Sequence, residues 1–235
     1  MSSPGISRPD VGVVVVAAGA GLRAGPGEPK QFRPIHGVPL LVRTLRPFTS
    51  HPDVEQVVVV LPAGYAERPP DWLARLVGQR LRPVTGGVSR AQSVRAGLSA
   101  LAARATVVLV HDGARPFVSR ETIDAVIAKA RAGVGAVAAL PLADTLKEVV
   151  EGTRIRRTVA RDRLCRAQTP QAFPRAMLER AYGEPESTDP ATTDDAELCE
   201  RAGFPVEVVP DTSHNFKVTT ADDFRIAEAL ARELR

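Results

Sequence analysis

Arg23 and Lys30 flank a loop that follows four consecutive valines, Val13 to Val16, and the small residues Ala17-Ala18-Gly19-Ala20-Gly21. Small residues let backbone N–H groups approach an anion with no side chain in the way. Lysine is a compact point charge and arginine a bidentate fork, and both suit phosphate. Pro26, Gly27 and Pro29 lie between the two cations and forbid a regular helix. Lysine is scarce here: of thirty-one cationic residues only Lys30, Lys129, Lys147 and Lys217 are lysines. Asp112 follows the apolar run Thr106 to His111, at the carboxyl end of an expected strand, where it could meet a metal ion or a ribose. A buried strand running into a glycine-rich loop with two cations is the outline of a phosphate-binding device.

Two common devices of that kind do not fit. Gly19-Ala20-Gly21-Leu22-Arg23-Ala24 has the form GxGxxA of a dinucleotide site. That fingerprint needs a helix opening at the glycines and an acidic residue at the end of the second strand. The prolines break the helix, and the second strand ends Val60-Leu61-Pro62 without a carboxylate. A P-loop fails as well, because no Gly-Lys-Ser/Thr follows the glycines.

The surrounding elements are read from periodicity. Continuous apolar runs predict strands at Val11 to Ala18, Gln56 to Leu61, Thr106 to His111 and Ala136 to Leu140. Arg82 to Thr85 is a shorter strand, and Val206 to Val209 a last core strand. Helices are expected from Leu40 to Phe48, from Ser89 to about Ala103 with a Ser89/Gln92 capping box, and after Ser119 with Ile123, Val126, Ile127 and Ala130 inward. Gln168-Thr169-Pro170-Gln171 reads as a loop. Thr220 caps a C-terminal helix whose inner face carries Phe224, Ala227, Leu230, Ala231 and Leu234. Thr145 to Val150 and Arg154 to Val159 flank Glu151-Gly152-Thr153 as a polar β-hairpin. Alternating strands and helices predict an α/β, Rossmann-like, mostly parallel twisted sheet with a protruding hairpin arm. One domain over 1–235 is expected, with 1–10 a tail and about 144–161 the arm.

Composition narrows the function classes. The net charge is +4, and the basic residues are dispersed, so nucleic acid is not an expected partner. Cys165 and Cys199 are far apart and form no CxxC pair, which suits reduced thiols and a cytoplasmic setting. No apolar run approaches membrane-spanning length, and the start of the chain has no apolar leader segment.

The loop AAGxGxR followed by Pro29-Lys30-Gln31-Phe32 resembles the nucleotidyltransferases that activate sugars and polyols. It is most like the 2-C-methyl-D-erythritol 4-phosphate cytidylyltransferases. The likeness continues in order through Gly86 to Val94, His111-Asp112-Gly113-Ala114-Arg115-Pro116, Asp144-Thr145-Leu146-Lys147, Gln168 to Phe173, Thr193-Asp194-Asp195-Ala196 and Asn215-Phe216-Lys217-Val218-Thr219. It implies the nucleotidyltransferase type of sheet and attack by a phosphate monoester on the α-phosphorus of CTP, with loss of pyrophosphate. It puts Arg23 and Lys30 on the triphosphate, with Arg161 and Lys217 as further catalytic residues holding methylerythritol phosphate. Ala17, Ala18, Gly19, Gly87, Arg90, Ser93 and Asp112 would bind CTP. Arg115, Thr145 and Thr193 would bind the acceptor, although a clamp on the loop is an equal reading of Arg115. Mg²⁺ is the implied cofactor, with Asp112 its ligand, and the arm implies a homodimer. No general base is needed, and His111 is taken as structural. Val16 stands where that family usually has proline, Gly113 where it has alanine, and Ala160 where it has aspartate before Arg161. Ribitol-5-phosphate cytidylyltransferase is the alternative enzyme, and Lys147 with Thr193-Asp194 favours erythritol. A non-catalytic nucleotide-binding protein would be expected to lack Arg23, Lys30 or Lys217.

Overall fold

A computed structural model of the chain describes residues 9–19, 29–78, 80–184 and 192–234. In chain order the elements are β1 (Val11–Val16), β2 (Pro34–Ile35), β3 (Val38–Pro39), α1 (Leu40–Thr49), β4 (Val54–Leu61), α2 (Asp71–Ala74), β5 (Leu81–Thr85) and α3 (Arg90–Ala100). They continue with β6 (Val107–Asp112), α4 (Arg120–Arg131), β7 (Gly135–Pro141), β8 (Leu146–Val150), β9 (Arg154–Val159) and β10 (Cys165–Pro174). The last are α5 (Arg175–Gly183), α6 (Asp195–Arg201), β11 (Val206–Pro210) and α7 (Ala221–Glu233).

Val13, Val14 and Val15 are fully buried, as a central strand covered on both faces requires. Burial of each such side chain contributes about 2 kcal/mol of hydrophobic stabilisation. Among the described residues the main sheet has the order β11-β7-β10-β6-β1-β4-β5. All pairings in it are parallel except those of β10, which runs antiparallel to both β6 and β7. The chain therefore leaves β1 for β4 and β5 on one side, then returns to β6 on the other. That reversal is a topological switch point, and it opens a crevice beyond the carboxyl ends of β1 and β6. Val16 and Asp112 face each other in register at its edge.

Period-two alternation sorts the layers. Val13, Val15, Val57 and Val59 share a cluster with Leu41, Leu45 and Phe48 of α1 and Ile123 and Ile127 of α4. Val14, Val58 and Val60 face Val94 and Leu98 of α3, Leu178 of α5 and Leu198 of α6. Gly97 allows α3 to lie this close: a Cβ there would collide with the Val14 side chain and reach 3.1 Å from Val60. Ser89 caps α3 by accepting the Gln92 N–H at 3.1 Å, while the Gln92 carboxamide turns to the Val88 N–H at 2.9 Å instead of completing the reciprocal box. Ser119 caps α4 through the Thr122 N–H, and Thr220 with Asp223 forms a full capping box at α7.

Three sequence expectations are corrected. Gln168-Thr169-Pro170-Gln171 is part of the interior strand β10, not a loop. A register shift between Ala167 and Gln171 accommodates the proline. The polar side chains that suggested a loop are buried and bonded inside the protein. The strand Val206–Pro210 lies at the sheet edge with β7 its neighbour; only Val209 in it is buried, and Val208 stays 53% exposed. On α7, Ala227 and Ala231 face inward as expected, but Leu234 lies beyond the helix as its C-cap and is exposed.

β8 and β9 form a separate two-stranded antiparallel sheet, the protruding arm. Its turn places Gly152 at φ +81°, a backbone conformation natural to glycine. Glu148 pairs with Arg156 and Arg157 across the arm, and Val149 and Ile155 remain largely exposed. No helix among the described residues is long and apolar enough to cross a membrane.

Candidate nucleotide-binding active site

The crevice holds a cavity of about 520 Å³. Ala17, Ala18, Gly19, Lys30, Gly87, Arg90, Ser93, Asp112 and Lys217, all predicted site residues, line it. Its walls come from the exit of β1, the loop into α3, the exit of β6 and the segment before α7.

Lys30 opens a 3₁₀ turn, Lys30–Phe32, and its Nζ donates to the Val218 carbonyl at 2.8 Å. Phe32 fixes that turn from below, edge-on to the rings of Tyr65 and Trp72 at 4.8 and 5.5 Å. Gln31, which sequence reasoning passed over, is 3% exposed and donates to the carbonyls of Ala17 (2.7 Å) and Gly19 (3.3 Å). It holds the β1 exit in shape. Its place between Lys30 and Phe32 in the motif was the available signal.

At the opposite wall, Arg90 Nη2 donates to Asp195 Oδ2 at 2.6 Å, and the Tyr182 hydroxyl donates to Asp195 Oδ1 at 2.5 Å. Burial opposes the charge on Arg90, but Asp195 outweighs it and raises the guanidinium pKa, so Arg90 is a permanent cation. Asp195 belongs to the motif Thr193-Asp194-Asp195-Ala196, whose spacing alone does not show this contact. The paired acids Asp194-Asp195 divide the work: Asp194 caps α6 through the Glu197 N–H, and Asp195 turns inward to Arg90. The Ser93 hydroxyl donates to the Ser89 carbonyl (2.9 Å) and accepts the Gly87 N–H (3.2 Å), so it shapes the α3 entry as well as facing the cavity.

Asp112 is the acidic focus. Its Oδ2 lies 3.0 Å from Lys217 Nζ and 3.2 Å from Arg115 Nε. Burial alone would raise its pKa; Lys217, Arg115 and Arg90 overcome this and hold the carboxyl well below the usual range. His111 beside it is fully buried, and desolvation lowers its pKa to about 4. It is a neutral structural residue.

The other predicted residues lie elsewhere. Arg115 is buried behind the cavity wall, where its Nη1 donates to the Asn215 carbonyl at 2.8 Å; of its two readings, the geometry matches the clamp. Thr145 and Arg161 are exposed at the base of the arm, and neither lines the cavity. Thr193 is exposed and donates its N–H and hydroxyl to Glu197 ahead of α6. Arg23 lies outside the described residues. Among the described residues no three His, Cys, Asp or Glu side chains converge as a metal cage. The donor set nevertheless fits Mg²⁺, which keeps several waters and binds through one or two carboxylates plus substrate phosphates. Asp112 is ionised and faces the cavity.

A mostly parallel sheet with its switch point at β1, a small-residue loop and a cationic cavity around one carboxylate define a nucleotide-binding α/β enzyme of the nucleotidyltransferase class. Comparison with known proteins makes this specific. The chain belongs to the 2-C-methyl-D-erythritol 4-phosphate cytidylyltransferase (IspD) family, whose sequence model matches residues 11–233. The 2-C-methyl-D-erythritol 4-phosphate cytidylyltransferase of Syntrophus aciditrophicus is 39% identical over 232 residues, covering 96% of this chain and 97% of that protein. That of Streptomyces avermitilis is 42% identical over 244 residues, covering 100% and 96%. The crystal structure of the Thermus thermophilus enzyme superposes with a TM-score of 0.79 at 37% identity, covering 95% of this chain and 99% of the other.

Proposed function

We propose that the chain transfers CMP from CTP to 2-C-methyl-D-erythritol 4-phosphate. The products are pyrophosphate and 4-diphosphocytidyl-2-C-methyl-D-erythritol, on the non-mevalonate route to isoprenoid precursors. The observation that carries this reading is one cavity at the sheet's switch point lined by Lys30, Arg90, Asp112 and Lys217, in a chain that matches the family over 11–233.

A phosphate oxygen of the acceptor forms a bond to the α-phosphorus of CTP, and the bond from that phosphorus to the bridging oxygen of pyrophosphate breaks. The monoester is already ionised, so no proton need be removed. The barrier comes from bringing two anions together and from charge growing on the α-phosphoryl oxygens. Fixed cations in a preorganised site lower both costs. In this reading Lys30, with Arg23, meets the triphosphate, and Lys217 with Arg161 holds the acceptor. Backbone groups of Ala17, Ala18, Gly19 and Gly87, with Arg90 and Ser93, hold the nucleotide. Asp112 and the triphosphate would hold Mg²⁺, which when bound polarises the phosphoryl oxygens. Thr145 and Thr193 complete the acceptor side. Because Thr145 and Arg161 sit at the exposed arm, the reading includes a homodimer in which each arm serves its partner's site. The two free cysteines, Cys165 and Cys199, fit a cytoplasmic setting.

The test supplies CTP, Mg²⁺ and either methylerythritol phosphate or ribitol phosphate, and measures pyrophosphate. Turnover is expected with the former. Turnover with ribitol phosphate alone would transfer the assignment to the ribitol enzyme, and none with either would remove it.

A further inference from the structure

A closed ring of hydrogen bonds lies behind the cavity. Asp112 Oδ2 accepts from Arg115 Nε at 3.2 Å, and Arg115 Nη1 donates to the Asn215 carbonyl at 2.8 Å. Asn215 Nδ2 donates to the Thr169 carbonyl at 2.8 Å, and Thr169 Oγ1 accepts the Asp112 N–H at 2.9 Å. The ring thus leaves Asp112 by its carboxylate and returns to it by its main chain. Asn215 is fully buried, Thr169 is 4% exposed and Arg115 is 9% exposed.

A second bridge crosses it. His111 Nε2 lies 3.0 Å from the Arg115 carbonyl, which can only accept, so Nε2 carries the proton. Nδ1 is then an acceptor, and the Thr169 hydroxyl donates to it at 3.1 Å. That leaves the Thr169 oxygen free to accept from Asp112. Every proton in the ring has one place. Lys217 is two residues beyond Asn215 and meets the same Oδ2 at 3.0 Å, so whatever seats Asn215 also seats Lys217.

We infer that Thr169 and Asn215, with Arg115, are positioning residues that set the orientation of the Asp112 carboxylate and its contact with Lys217. This rests on the proposed transferase reading. The charged groups facing Asp112 are Lys217 and Arg115 from its own side of the cavity and Arg90 from α3; those facing His111 are Asp112, Arg115 and Asp211.

The test compares Thr169→Val, which keeps the shape and removes the hydroxyl, with Thr169→Ser, which keeps the hydroxyl. In pyrophosphate release, Thr169→Val is expected to lower kcat about 10- to 100-fold with KM for CTP changed about twofold or less. Thr169→Ser restores most of the lost kcat. Imidazole ¹⁵N shifts supply a readout independent of turnover: the Arg115 carbonyl keeps His111 the Nε2–H tautomer in all three proteins, and the Nδ1 resonance, hydrogen-bonded in the parent and Thr169→Ser, moves downfield in Thr169→Val. A wild-type chain that shows the tautomer but no pyrophosphate release refutes the transferase reading and leaves the ring standing. A folded Thr169→Val with parental kcat overturns the inference, as does Thr169→Ser as impaired as Thr169→Val. Should Thr169→Val not fold, Arg115→Lys decides, because one ammonium cannot span Asp112 and Asn215 as two guanidinium nitrogens do. It is expected to lose kcat, and a parental kcat refutes the ring.

Discussion

Asp195 holds Arg90 at 2.6 Å across the gap between α6 and α3, with its other oxygen taken by the Tyr182 hydroxyl. The acid is completely buried while the Arg90 side chain is 29% exposed toward the cavity. A charge is thereby presented to the cavity from a fixed mount. Replacing Asp195 by Asn leaves the guanidinium without its counter-charge. The expected loss is about 3 kcal/mol, the low end for breaking a buried pair because Arg90 keeps some solvent. Urea unfolding measures it, and KM for CTP should rise in parallel. A variant of parental stability would show that the pair is not what seats Arg90.

Lys30→Ala tests the triphosphate contact. Its Nζ donates a charge-assisted hydrogen bond to the Val218 carbonyl, so stability should fall by about 1.5 kcal/mol, the low end for a charged donor that stays partly exposed. Removing one preorganised donor from a phosphoryl-transfer site costs about 100- to 1,000-fold in rate. Steady-state kinetics alongside the urea midpoint separates the two. Equal losses in rate and folding would count against a direct role.

His111 makes stability depend on pH in a defined window. It is neutral in the fold, with its pKa depressed from an ordinary 6.5 to about 4 by burial. Between those values the unfolded chain binds the proton and the folded chain does not. Its contribution is therefore complete above pH 6.5 and is lost as pH falls toward 4, by about 3 kcal/mol in all. The depressed Asp112 carboxyl acts in a lower window, losing its contribution only as pH drops below its ordinary value. Urea unfolding at pH 7, 5.5 and 4.5 should show the fall, and His111→Gln should flatten it. A parallel slope in the variant would place the dependence elsewhere.

Val149 and Ile155 expose apolar surface on an otherwise polar arm. If the arm joins two copies, Val149→Glu combined with Ile155→Glu should move the sedimentation coefficient from dimer to monomer and remove most activity. A double variant that still sediments as a dimer would put the interface on another surface.

Legibility in the sequence followed the range of the forces involved. The valine strands, the caps at Ser89, Ser119 and Thr220, and the inward face Ile123, Val126, Ile127 and Ala130 depend on neighbours a few residues away. Periodicity exposes such features directly. Gln168 to Gln171 misled because polar residues and proline resemble a loop until distant partners are known: Asp112, Asp194 and Asn215 each bond one of these side chains from elsewhere in the chain. Arg115 could not be separated from its cavity-lining neighbours by spacing, since its clamp partner Asn215 lies one hundred residues on. Val206 to Val209 has the composition of a core strand, and only the sheet order makes it an edge. Lys30 and Lys217 were legible through their motifs, whereas the role of Asp195 required seeing α3 against α6.

β9 ends at Val159, and within a short connection the chain enters β10, which passes between β7 and β6 and carries Thr169 beneath Asp112. The arm and the floor of the crevice are two ends of one tie rod. A force applied to the arm, by whatever grips it, runs along one continuous backbone to Thr169 and passes from its hydroxyl to the Asp112 N–H.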